Sequence, residues 1–177
     1  MHNVRLLLFL VLALLSSCAK QGIRHDLKQM MSQPIVMPDE LEKVLADTVI
    51  ACVQSASSKC IVYLDSTDCM SCRIEKLVRY TALYNSGNKS PVFDFMVLAS
   101  PKVEEKKHVT YLIQQSAGFP VYIDSHNRFL QLNPYIPRDS RYHSFLTDRN
   151  GKIVFVGDPT SSDGLMELFL EALRTIQ

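Results

Sequence analysis

The feature that most constrains the fold is an apolar run, Cys60-Ile61-Val62-Tyr63-Leu64, closely followed by Cys69-Met70-Ser71-Cys72. A continuous run rich in β-branched residues suits a central parallel strand covered on both faces. Asp65-Ser66-Thr67-Asp68 reads as a polar loop, and the cysteine pair stands at the mouth of a helix. Ile74, Leu77, Val78, Thr81 and Tyr84 are expected on the inner face of that helix, with Gly87 as its stop. Val92 to Leu98 supplies a second apolar strand. A helix is then expected over about Val103 to Gln115, with Val103, Tyr111 and Leu112 turned inward, and Pro120 to Asp124 gives a third strand.

Two further strands, Ser144–Thr147 and Lys152–Val156, are joined through Asp148-Arg149-Asn150-Gly151. Asn-Gly between apolar runs signals a hairpin, because both residues tolerate the positive φ of a tight turn. A last helix is expected over Asp163–Thr175, with Leu165, Leu168, Phe169, Ala172, Leu173 and Ile176 on its apolar face. Alternating strands and helices require a parallel sheet with crossovers, and the hairpin adds antiparallel strands. The expected fold class is therefore α/β: a central mixed sheet with helices on both faces and a C-terminal β-hairpin. Ahead of this, Pro34 to Pro38 reads as a short edge strand. Asp39-Glu40-Leu41-Glu42 opens a helix continuing through Val44 and Leu45, and Val49 to Cys60 stays open between strand and loop.

The N-terminus sets the compartment. Leu6 to Leu15 is an unbroken apolar run, too short to span a bilayer but suited to the core of a secretory signal. It ends in Leu15-Ser16-Ser17-Cys18, which resembles the bacterial lipobox and makes Cys18 the expected lipidation site. The chain then divides into a signal peptide (1–17), a lipidated cysteine with a polar tether (18–33) and one domain (34–177). The expected location is a membrane-anchored lipoprotein facing the periplasm, with Ala19 favouring the outer membrane. Nineteen Lys and Arg against 18 Asp and Glu leave a net charge of +1, which argues against nucleic acid as a partner.

In an exported chain the remaining cysteines are expected to be disulfide-bonded or catalytic. A CxxC serves redox dithiols and also half of many zinc sites. Its place between a buried strand and a helix points to the dithiol, because a helix N-terminus stabilises a thiolate. Cys69, nearer the loop, is the expected exposed nucleophile, and Cys72 the expected buried partner that resolves the mixed disulfide. Cys52 and Cys60 form either a structural disulfide or buried free thiols. A single zinc on all four is excluded, since a strand of over ~15 Å separates Cys60 from Cys69. Asp65 is either a proton relay to the dithiol or the cap of the turn that follows it.

Strand–CxxC–helix, then Phe119-Pro120-Val121-Tyr122-Ile123-Asp124, then Phe145 to Val154 resembles the thioredoxin-like superfamily over about residues 59–175. The pattern is most similar to the TlpA/ResA-type membrane-tethered thiol–disulfide oxidoreductases. The resemblance implies a dithiol at the carboxyl edge of the sheet. It also implies exchange with protein thiols and disulfides, a redox partner and no organic cofactor. Two positions depart from it. The family's cis-proline facing the dithiol corresponds to Tyr142, with His143 beside it. The aromatic residue usual before the first cysteine is Asp68, whose charge would raise the Cys69 pKa. His143 is then a proton carrier, a metal ligand or a surface histidine without a role. The departures keep two alternatives open: a non-catalytic binding module with a structural disulfide, and a copper or zinc metallochaperone using Cys69, Cys72 and His143. A peroxidase is excluded, because the proline and threonine it requires correspond to Val62 and Ser66.

Overall fold

The computed structural model describes residues 22–45, 48–51, 57–89 and 93–176. Its strands in chain order are β1 (Glu42–Leu45), β2 (Thr48–Ala51), β3 (Lys59–Leu64), β4 (Asp94–Ala99), β5 (Val121–Ile123), β6 (Ser144–Thr147) and β7 (Ile153–Val156). Its helices are α1 (residues 22–30), α2 (Met70–Glu75), α3 (Thr81–Lys89), α4 (Lys106–Ser116), α5 (Phe129–Leu132) and α6 (Asp163–Thr175). All seven strands join one sheet in the order β2-β1-β5-β4-β3-β6-β7. Strands β3, β4 and β5 are parallel, and β1, β6 and β7 run antiparallel to their neighbours.

The pleat of β3 explains why its apolar run is unbroken. Cys60, Val62 and Leu64 enter one core with Met70, Ile74, Val109, Ile113 and Phe169 from α2, α4 and α6. Ile61 and Tyr63 enter a second core on the opposite face, with Met30, Phe129, Tyr135 and Tyr142. Successive side chains of a strand point to opposite faces, so a sheet covered on both sides needs apolar residues at every position. Strand β4 divides in the same way, with Phe95, Val97 and Ala99 on one side and Met96 and Leu98 on the other.

Several expectations about local structure are corrected. Residues 22–30, expected within a polar tether, form α1; Met30 is fully buried in the second core and Leu27 packs against it. Three apolar side chains among charged ones were too sparse to announce that helix. Glu42 to Leu45 is strand rather than helix, because β1 pairs with both β2 and β5, and sheet pairing overrides a short helical pattern. Residues 34–38 make only an isolated bridge, Pro34 to Lys152, at the β7 edge.

The helix after the dithiol changes phase at a 3-10 segment, Lys76–Tyr80, which separates α2 from α3. Its buried side chains are therefore Ile74, Leu77, Tyr80 and Leu83, while Val78 is 71% exposed. Gly87 does not end α3. It lies inside that helix, where an added Cβ would meet the Phe93 carbonyl oxygen at 2.9 Å. A 3-10 turn, Val103–Glu105, likewise precedes α4, so Val109 and Ile113 face the core while Val103 and Tyr111 stay exposed. On α6 the buried anchor is Phe169, and Leu168 is 55% exposed. In the β6–β7 turn only Gly151 takes positive φ (78°). The Asp148 carboxylate accepts from the Asn150 and Lys152 amides, and the Gly151 amide donates to the Asp148 carbonyl, so the Asn-Gly pair closes a longer loop than expected.

Candidate functional site

Cys69 and Cys72 form a disulfide with a Cα–Cα distance of 5.4 Å. Cys69 is the N-cap of α2 in extended backbone (φ −67°, ψ 91°), and its carbonyl accepts from the Arg73 amide at 3.0 Å. The loop from β3 is folded by Asp65. Its Oδ1 accepts from the Thr67 amide at 3.0 Å, and its carbonyl accepts from the Asp68 amide at 3.0 Å. This turn carries the chain from the buried end of β3 to the exposed start of α2 within four residues.

One expectation about the dithiol is overturned. Both cysteines are exposed, and the buried residue of the motif is Met70. The cause is the rotation of α2, which directs Met70 and Ile74, four residues apart, into the core. Residue burial therefore does not rank the two cysteines.

Strand β6 brings the next residues to the dithiol end of β3. Val62 pairs with Ser144, and the Tyr63 amide donates to the His143 carbonyl at 2.7 Å. His143 is not a surface residue. It is 1% exposed, its Nε2 lies 2.9 Å from the Pro137 carbonyl, and its ring meets Tyr63 edge-on at 5.1 Å. Donation from Nε2 makes Nδ1 the acceptor of the neutral ring, and Nδ1 is buried without a hydrogen-bond partner. Asp65 Oδ2 and Asp68 Oδ2 are buried and likewise lack a hydrogen bond, although Arg73 Nε lies 3.8 Å from the latter. Burial pushes the His143 pKa below its ordinary 6.5, against the opposing pull of the Pro137 carbonyl and of Asp65 and Asp68.

Tyr142 turns to the opposite face. It is buried in the second core, and its hydroxyl donates to Asp26 of α1 at 3.1 Å. The described residues contain no cis peptide. The position expected to face the dithiol is therefore split: Tyr142 serves the fold, and His143 lies within the field of the site's carboxylates. Cys60 is a buried free thiol held protonated by desolvation; Cys52 lies outside the described residues, as do Cys18 and the signal segment. In the disulfide state Cys69 and Cys72 are bonded to each other and offer no thiolate ligand. No cluster of three metal-binding side chains occurs among the described residues.

A depressed histidine pKa has a defined effect on stability. Below pH 6.5 the unfolded chain binds a proton at His143 that the folded chain refuses. The neutral-ring contribution is thus complete above pH 6.5 and declines as pH falls toward the lower folded value. The urea midpoint should fall between pH 7.5 and 5.5, and His143→Gln should flatten that slope. An equal slope in the variant would assign the effect elsewhere.

The strand order, the antiparallel β6–β7 pair and the dithiol at the start of α2 define a thioredoxin-like fold. No family model and no curated protein matches the sequence. Among solved structures, the chain is similar to a protein described as a thiol:disulfide interchange protein DsbE from Chlorobium tepidum. That likeness has 18% identity and TM-score 0.51, covering 80% of this chain and 98% of the other. It is also similar to a thiol-disulfide isomerase from Corynebacterium glutamicum, at 17% identity and TM-score 0.50, covering 80% and 96%. Among the described residues no helix is long and apolar enough to cross a membrane.

Proposed function

We propose that this protein is an exported, lipid-anchored thiol–disulfide exchange protein acting through Cys69 and Cys72. The observation that carries the reading is an exposed disulfide at the N-cap of α2, at the carboxyl end of the central strand. In the reducing direction, one thiolate attacks a substrate disulfide sulfur and forms a mixed disulfide. The second thiolate then attacks the enzyme-side sulfur, releasing the substrate as a dithiol and closing Cys69–Cys72. Two electrons pass to the substrate, and a redox partner of the thiol class restores the dithiol. The reverse sequence oxidises a substrate.

Asp65 and His143 are the proposed proton carriers. Asp65 Oδ2 and His143 Nδ1, like Asp68 Oδ2, are buried acceptors without hydrogen bonds at this end of β3, and Asp68 alone of the three has a guanidinium nearby. The turn-capping role of Asp65 uses Oδ1 only, so the two roles are compatible. Lipidation of Cys18 would hold the domain at the membrane surface.

A second reading, a binding module with a static disulfide, is favoured by Tyr142 and Asp68, which stand where the thioredoxin-like pattern has a proline and an aromatic residue. Equilibration of the full-length protein in detergent against glutathione or dithiothreitol buffers separates the two. Exchange predicts a potential between about −120 and −270 mV with ready alkylation of the reduced pair. A potential below about −300 mV would assign the disulfide to structure.

A further inference from the structure

Beside the dithiol helix, between residue 73 and the loops that flank β6 and β7, lies a cleft of about 430 Å³. Arg73, one residue beyond Cys72, forms one wall; Ser140, Arg141, Ser144 and Ser161 line the others. Ser144 is only 6% exposed, and its hydroxyl has no hydrogen-bond partner. A buried hydroxyl without a partner costs stability unless a ligand or water satisfies it.

Charged groups of both signs line the cleft, and they differ in how many hydrogen bonds they have left to make. Asp158 also lines it, but both of its oxygens are occupied: Oδ2 by Arg79 at 2.6 Å and Tyr80 at 2.8 Å, Oδ1 by the Thr160 amide and hydroxyl. Burial, followed by the nearby Asp158 charge, pushes the Tyr80 phenol up to about 12, so it remains a donor to that carboxylate. Arg73 meets Asp68 only at 3.8 Å. Arg141 engages Asp139 through Nε and Nη2, leaving Nη1 without a partner among the described residues. The Ser161 hydroxyl already donates to the Asp158 carbonyl at 2.7 Å, so two guanidinium groups with the Ser140 and Ser144 hydroxyls are the donor set that a carboxylate accepts from.

We propose that this cleft is a carboxylate subsite that selects disulfide partners carrying an acidic group next to the reacting cysteine. The proposal rests on the exchange reading and names its substrate class. The carboxylate can be a Glu or Asp side chain of a protein or a carboxylate of a small thiol such as glutathione.

Binding is measured first, without chemistry, by titrating fluorescent Ser-Glu and Ser-Gln peptides, with serine in place of cysteine, into the full-length oxidised protein in detergent. The Glu peptide should bind about tenfold tighter at low salt, with the preference fading at high salt. Arg141→Gln and Ser144→Ala should each shrink the Glu-to-Gln ratio, whereas Lys107→Gln on α4 should leave it intact. Competition by S-methylglutathione would assign the carboxylate to a small thiol; persistence of peptide binding would assign it to a protein. Equal affinity for the two peptides overturns the subsite. The corresponding cysteine peptides, presented as disulfides to the reduced protein, test the underlying reading separately. A protein that prefers Glu in binding but exchanges with neither peptide sinks the exchange reading and keeps the subsite.

Discussion

Cys72→Ser should trap a substrate as a stable mixed disulfide on Cys69, and Cys69→Ser should trap none. Because both cysteines are exposed, residue burial does not set the order of attack, and electrostatics is expected to. Cys69 occupies the N-cap; as a disulfide it makes no cap hydrogen bond, but a freed thiolate there would stand next to amides that have no partner within the helix. A thiolate there also lies at the positive end of the helix dipole, while Cys72 lies within the first turn. Arg73 stands 3.8 Å from Asp68 and offsets the carboxylate that precedes Cys69. Either substitution should lower multiple-turnover exchange by about 10³-fold or more, since a dithiol acts as a unit. Gel-shift trapping after acid quench, with mass spectrometry of the adduct, reads the result. Equal trapping by both variants would remove the ranking, and no trapping by either would remove exchange.

Asn133→Ala should destabilise the fold by about 3 kcal/mol, the summed cost of several buried polar groups losing partners. Asn133 is fully buried at the end of α5. Its Oδ1 accepts from the Val36 amide at 2.7 Å, and its Nδ2 donates to the Val36 and Phe129 carbonyls, both at 2.7 Å. The Tyr135 hydroxyl lies 2.9 Å from the same Oδ1 and 2.8 Å from the Pro34 carbonyl. One amide thus ties the segment after α1 to the body of the domain, in place of the strand pairing that this segment lacks. At ~2–4 °C per kcal/mol the midpoint of thermal unfolding should drop by about 10 °C. Limited proteolysis should then cut near Val36 first. A drop below about 2 °C would show that water satisfies these groups.

The parts of the fold legible in the sequence are those whose signal is local. The run at Cys60–Leu64, the Asn-Gly turn and α6 from Asp163 to Thr175 stand where patterning put them, because buried strands and amphipathic helices leave their mark within a few residues. The dithiol's position at the start of a helix was legible for the same reason. Strands β1 and β2 were not, since Glu42–Leu45 joins the sheet by pairing with Val121–Ile123 nearly eighty residues away as well as with β2. Nor was the α1 contribution, in which Met30 meets a core built mostly from distant residues.

At the site the division is sharper. The sequence by itself determined that two cysteines share one helical turn after a buried strand, close enough in the chain to form the disulfide. Tertiary structure alone decided which side chains surround them. The rotation of α2 buries Met70 and leaves both cysteines exposed, and the β3–β6 register buries His143 beside the turn made by Asp65. The physical reason is that side-chain burial depends on the phase of an element against its neighbours, and that phase is fixed by long-range packing.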